Sequence, residues 1–322
     1  MTRHSFDHGF RITPAQKKQF ERDGFVKLPG FLNANVVEML LHRVDAEMGR
    51  DAEKTTAHSL LKRVTYDHKG DKGDIFELLE RPYVRRALTD LVERDLFFTF
   101  ELFEVEKNVS PGQPWQVGVQ SFGYQFAREF GCNIWAPLHP VNAKGQRGGV
   151  ACVPRPVISG EWVFEMEAAV VSTLKAREEA GVKTSLADYF ELRHGILNSP
   201  VMLEIMENHQ VEDDFEPGDV LVFHKMVVHK SIRLEEGELS RRAAHVLRFI
   251  DAGSHYDLQR AQDLDYPIRQ YRKELLPYKP IARQHIELAE AGAVHGDLLA
   301  ESAYFSDRGR RMIRRKRPSG MG

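Results

Sequence analysis

The stretch from Phe215 to Ile250, FEPGDVLVFHKMVVHKSIRLEEGELSRRAAHVLRFI, constrains the fold more than any other part of the chain. It reads as two β-favouring strands that present one histidine, His229, and then one arginine, Arg242. Upstream, Leu96 to Phe100 and Leu102-Phe103 are aromatic and β-favouring. A turn at Ser110-Pro111-Gly112 leads into Trp115 to Phe126, and then into Cys132 to Leu138 and Gly148 to Pro154. Several short strands in succession, with turn residues between them, predict a β-sandwich or jelly roll.

Helices flank this core. Thr13-Pro14-Ala15-Gln16 offers a hydroxyl cap, a proline at the first helical position and a glutamine that completes a capping box. That helix is expected to end at Gly24, and Phe25 to Leu28 to form a strand. Val36, Val37, Leu40, Leu41 and Val44 recur at helical spacing within Asn33 to Met48, and Pro82 to Arg94 reads as another amphipathic helix. Between Trp162 and Gln210 the strand pattern is interrupted by helical stretches at Glu165 to Glu179 and Pro200 to Asn208, an excursion suited to a lid or a subunit contact. After Ile250 the chain reads as charged helices that pack outside the sheet. No Pro/Gly/Ser-rich linker divides the middle. The organisation expected is one domain over 1–307, with a helical insertion at about 160–212, C-terminal helices at about 255–305, and a basic tail at 308–322.

Composition narrows the setting. With 42% apolar and 29% charged residues, the chain has the make-up of a soluble globular protein with a full core. Its two cysteines, Cys132 and Cys152, lie in apolar strand-like segments, where a buried thiol is expected rather than a disulfide, and this points to a cytoplasmic location. No run approaches the roughly 18 apolar residues of a membrane span, so no membrane role is expected. The formal charge of −2 hides a tail in which Arg308, Arg310, Arg311, Arg314, Arg315, Lys316 and Arg317 occur with no acid. It reads as a solvated terminus, and a nucleic-acid partner is not expected.

Three segments together resemble the phytanoyl-CoA dioxygenase family of non-haem iron, 2-oxoglutarate-dependent oxygenases: Phe20 to Leu32, Trp135 to Pro154, and Pro217-Gly218-Asp219 through His229-Lys230-Ser231 to Arg242 and Phe249. The resemblance implies a double-stranded β-helix, the cupin-like jelly roll, in which two histidines and a carboxylate hold Fe(II) and an arginine binds the far carboxylate of 2-oxoglutarate. Carried over by position, His229 matches the distal histidine and Ser231 stands in its usual place after it. Arg242 is the first choice for the 2-oxoglutarate anchor and Arg241 the second. Counted two by two, Arg242, Ala244, Val246 and Arg248 share a face.

The chain departs from the family where the first histidine and the carboxylate belong. No histidine occurs from Lys69 through Leu138. In one register, Trp115-Gln116-Val117-Gly118 replaces W-H-x-D, giving glutamine for histidine and glycine for the carboxylate. In the other, Val119 and Ser121 replace the two ligands. The first is preferred because Trp115 precedes it. An amide oxygen is a poor Fe(II) ligand, so rescue would need His139 or His224. The turn between His229 and Arg242 is also slightly longer than the family's, and Val153-Pro154-Arg155-Pro156 replaces its P-G-S-H turn. Two readings follow. One is an Fe(II)/2-oxoglutarate dioxygenase, hydroxylating a small-molecule substrate with His229, Gln116 and His139 as candidate metal ligands and Arg242, Arg241 and Ser231 as candidate cofactor contacts. The other is a non-iron member of the fold that binds a ligand, performs metal-free chemistry or supports a partner enzyme, and a homo-oligomer is compatible with either.

Overall fold

The structure is a computed structural model and describes residues 9–50, 63–66, 73–107, 112–195, 197–275, 284–307, 309 and 312–315. The expected turn residues Ser110 and Pro111, part of the expected C-terminal helical region (276–283) and most of the basic tail lie outside the described residues.

Helix α1 (Pro14–Asp23) starts as its sequence dictates: the Thr13 hydroxyl accepts from the Gln16 amide, the Gln16 side chain accepts from the Thr13 amide, and Gly24 ends the helix at φ 81°. Only glycine fits there, because a Cβ would stand 2.5 Å from Arg155 Cδ in a left-handed backbone. Strand β1 (Phe25–Leu28), helix α2 (Ala34–Arg50), strand β2 (Arg63–Tyr66) and helices α3 (Gly73–Glu80) and α4 (Pro82–Val92) precede the long strand β3 (Leu96–Lys107). A short helix α5 (Val119–Phe122) leads to β4 (Gly131–Pro137) and β5 (Val150–Cys152). Four helices follow, α6 (Glu161–Glu165), α7 (Glu167–Glu179), α8 (Leu186–His194) and α9 (Pro200–His209), and then strands β6 (Val211–Glu212), β7 (Val220–His224), β8 (His229–Ser231) and β9 (Arg241–Asp251). The chain continues through α10 (Leu258–Gln270), α11 (Arg272–Leu275), α12 (Gln284–Glu290) and α13 (Ala303–Ser306) to β10 (Met312–Ile313).

The strands form a double-stranded β-helix. The larger antiparallel sheet runs β1-β7-β4-β9-β3-β10, with β2 also on β3, and the smaller runs β6-β5-β8. Alternation along β9 sorts side chains between two environments. Ala244 and Val246 face inward with Phe100, Leu102, Trp135, Leu221 and Phe223 against Val150 and Cys152 of the smaller sheet. Ala243, Leu247 and Phe249 face outward under apolar positions of α2, α3 and α4, including Val36, Leu40, Leu78 and Leu88.

Two helices of the insertion, α6 and α9, pack outside the cup. Met206 of α9 and Val163 and Phe164 of α6 pack with Trp115, Val117, Ala151 and Val228 on the outer side of the smaller sheet, together with Tyr256, Leu264, Tyr304 and Phe305 from the C-terminal region. Among the described residues no helix is long and apolar enough to cross a membrane. Both cysteines are buried free thiols.

Candidate functional site: the inner face of the cup

His229 lies in a row of side chains across the smaller sheet. It is paired with Cys152 of β5, which in turn pairs with Val211. On its other side Gln116 is bridged to it, each residue donating its amide to the other's carbonyl at 2.9 Å. Directly paired residues of antiparallel strands project to one side. Cys152 belongs to the inner core and the His229 ring lies 4.8 Å from that of Phe223, so this side is the cup interior. The Val153 amide bonds to Val228 O, which makes Cys152 and His229 a non-hydrogen-bonded pair with the closer side-chain approach. Gln116 Nε2 donates to Gln113 Oε1 at 2.8 Å, and His229 Nδ1 lies 2.9 Å from Val227 O.

The larger sheet contributes a facing row of Phe25, Phe223, Asn133, Arg248 and Phe100 in successive register. Half-buried Arg248 donates from Nε to Asn133 Oδ1 at 3.1 Å and lies 4.3 Å over the Phe100 ring. Neither row contains an acidic residue. The even count along β9 places Arg248 on the same face as Arg242, whereas the family resemblance favours Arg242 as the anchor through its distance ahead of Phe249. Asn133 gave no sequence signal.

The other candidates fall elsewhere. Arg242 faces inward but is fully buried, with Nη2 2.5 Å from Glu106 Oε2, also fully buried, on the paired position of β3. Its Nε and Nη1 make no hydrogen bond among the described residues. Its charge is nonetheless matched by Glu106, and a second carboxylate beside this pair would bury an unbalanced negative charge. Arg241 is on the opposite face, where it donates to Asp45 of α2. Ser231 shares the face of His229, two residues on. His139 is six residues beyond Asn133 along the path of β4, about 20 Å at the rise of a strand. Its Nδ1 accepts from the Ala243 amide, and burial together with Arg241 holds its pKa below the ordinary value. His224 follows inward-facing Phe223 and so turns outward; its Nδ1 accepts from the Met226 amide, and burial, then Lys225, push its pKa down to about 3. The structure thus brings Gln116 to His229 and leaves His139 and His224 apart from it.

Trp115 to Phe126 is not a strand throughout. After the bridge at Gln116 the chain turns into α5, so Val119 and Ser121, the alternative ligand positions, sit on a helix. Gly118 bonds through its amide to Lys225 O at 2.9 Å, and a Cβ there would stand 3.0 Å from both that oxygen and the Phe122 ring. A carboxylate at this position would meet a carbonyl oxygen and an aromatic ring. Lys225 itself is fully buried, with Nζ donating to Phe126 O at 3.1 Å and lying 4.7 Å from the Phe164 ring; burial holds its pKa well below the ordinary value.

This donor set does not fit a facial-triad iron. A divalent ion of this type needs imidazole and carboxylate ligands, and the row offers one imidazole, one amide and a thiol whose ionisation burial opposes. Among the described residues no group of three or more His, Cys, Asp or Glu side chains could hold a metal.

Among solved structures the chain is similar to the non-heme alpha-ketoglutarate-dependent carbocyclase SnoK from nogalamycin biosynthesis, with TM-score 0.54 and 14% identity over 76% of this chain and 86% of SnoK. The epimerase SnoN from the same biosynthesis, in complex with Fe3+, alpha ketoglutarate and nogalamycin RO, matches with TM-score 0.51 and 17% identity over 75% of this chain and 84% of SnoN. The fold is shared. No protein-family profile matches the chain, and no curated protein does. At these identities the shared architecture does not carry chemistry with it, and the residues of the cup decide what it can do.

Proposed function

We propose that this chain keeps the cup of the 2-oxoglutarate oxygenases without their iron chemistry, and uses it to bind a small organic acid. The observation that supports this is the make-up of the two facing rows. Arg248, Asn133, Gln116 and His229 supply a guanidinium, two amides and an imidazole with no acid among them, a set that suits an anion better than a metal cation. Arg248 stands two strands from Phe223, about 10 Å at sheet spacing, so a short carboxylate held by Arg248 can extend past Asn133 toward Phe223 and the His229 ring packed against it.

The test is ligand-observed NMR with a panel of small carboxylates, 2-oxoglutarate and succinate among them, in the presence of a metal chelator. Binding is expected for the wild type, and Arg248→Gln is expected to weaken it at least about tenfold, the loss of one charge-assisted contact. Binding that requires added Fe(II) would overturn the reading in favour of a hydroxylase of the phytanoyl-CoA dioxygenase type.

A further inference from the structure

Two charged features that the cup does not use lie at opposite ends of β9. The first is the turn between β8 and β9. Gln146 clamps its base: Nε2 donates to Glu235 O at 3.0 Å and to Leu239 O at 2.5 Å, Oε1 accepts from the Leu239 amide at 3.0 Å, and Gln146 O accepts from the Glu235 amide at 2.7 Å. Gly237 closes over this clamp, since a Cβ there would stand 2.7 Å from Gln146 Cδ. The clamp holds out Glu236 and Glu238, both exposed, beside half-buried Glu235. This is an acidic knob whose shape is fixed before any partner arrives.

The second feature is a groove of about 960 Å³ at the far end, where Asp251 ends β9 and Arg94 reaches it at 3.1 Å. Strand β10 pairs Met312 with Phe97 and Ile313 with Leu96, and so brings Arg314 and Arg315 alongside Arg85 and Arg86 of α4. All four arginines are exposed. Three acids also line the groove: Asp95 accepts from the Arg315 amide, Glu93 is contacted by Lys17 and Arg315, and Asp90 is exposed, so the five arginines Arg85, Arg86, Arg94, Arg314 and Arg315 leave the wall net basic. Knob and groove are separated by the length of β9, about 34 Å over ten residue steps, and one copy cannot satisfy itself.

We infer that the acidic knob of one copy docks into the arginine groove of a second copy, so that this chain self-associates head to tail. Opposite charges complement each other, guanidinium forks suit carboxylates, and the clamp removes the ordering cost of the knob. The occupant is a copy of the same chain because the chain itself carries both halves. Such contacts close into a ring or an antiparallel pair, or else grow into open chains.

Sedimentation velocity of the full chain across ionic strength tests this. Association at low salt that dissolves as salt rises is expected. Glu236→Arg with Glu238→Arg, and separately Arg85→Glu with Arg86→Glu, should each weaken association about tenfold or more. Mixing the two reversed proteins should restore it, since each then meets its complement, and this also shows that both remain folded. A wild-type chain that stays monomeric at low salt would overturn the inference. So would association indifferent to either reversal, or reversed proteins that are folded by circular dichroism yet fail to associate when mixed.

Discussion

Arg242 and Arg248 share a strand face, yet their surroundings give them different work. Arg242 is sealed against Glu106 with neither side chain exposed, so removing one partner leaves a buried charge without compensation. Arg242→Met is expected to cost about 3–5 kcal/mol in urea unfolding, and Arg242→Met with Glu106→Met to recover most of that loss. The sequence offered no sign of this pairing, because the partners are 136 residues apart and meet only through the β3/β9 register. His229 was more legible, since the histidine and the strand around it are local. That Gln116 faces it depends on an isolated bridge that no local signal marks. The same bridge makes Gln116→His informative. Two imidazoles facing one another across a hydrogen-bonded pair, with Cα atoms about 5.5 Å apart, should give measurable Ni(II) uptake in equilibrium dialysis where the wild type shows none.

Among the elements, α9 is tied to both segments that meet at the Gln116–His229 bridge. Glu207 Oε1 accepts from Trp115 Nε1 at 3.1 Å and from Lys230 Nζ at 2.5 Å, and these are the chain neighbours of Gln116 and His229. Burial opposes ionisation of Glu207, but the hydrogen bonds from Lys230 and Trp115 outweigh it and hold its pKa below the ordinary value. Glu207→Ala would leave the buried indole N–H of Trp115 without its acceptor, and a loss of about 1–3 kcal/mol with faster amide exchange over 200–209 is expected; Glu207→Gln, which keeps an acceptor, should lose less. Elements set by neighbouring residues were readable: the capping box of α1, the left-handed Gly24 and the apolar spacing of α2 and α4 all operate within a few residues. The aromatic and β-branched residues of Trp115 to Phe126 favour extension. Tertiary packing overrode that preference at α5, where Phe122 is buried beside Gly118 and Gly131. The insertion was legible as helix, but its position on the outer side of the smaller sheet depends on contacts spread from Trp115 to Phe305.

For the molecule as a whole, half-buried histidines held neutral weaken the fold in acid. His224, pushed down from an ordinary 6.5 to about 3 by burial and then Lys225, takes up a proton in the unfolded chain well before it does in the folded one. Between those values the unfolded state binds more protons, so its contribution to stability is fully present above pH 6.5 and is lost progressively as pH falls toward 3. His194, lowered to about 4 by burial and then Arg193, acts in the same direction. Stability measured by urea unfolding should therefore fall from pH 6.5 downward, and His224→Gln should flatten that slope. At this scale the proposed function amounts to a cup that binds an anion without iron. Anaerobic calorimetric titration of the chelator-treated protein with Fe(II), followed by 2-oxoglutarate, tests it most directly. No tight metal uptake is expected, and the carboxylate affinity should be the same with and without metal. Stoichiometric, tight Fe(II) binding that strengthens 2-oxoglutarate binding would contradict it.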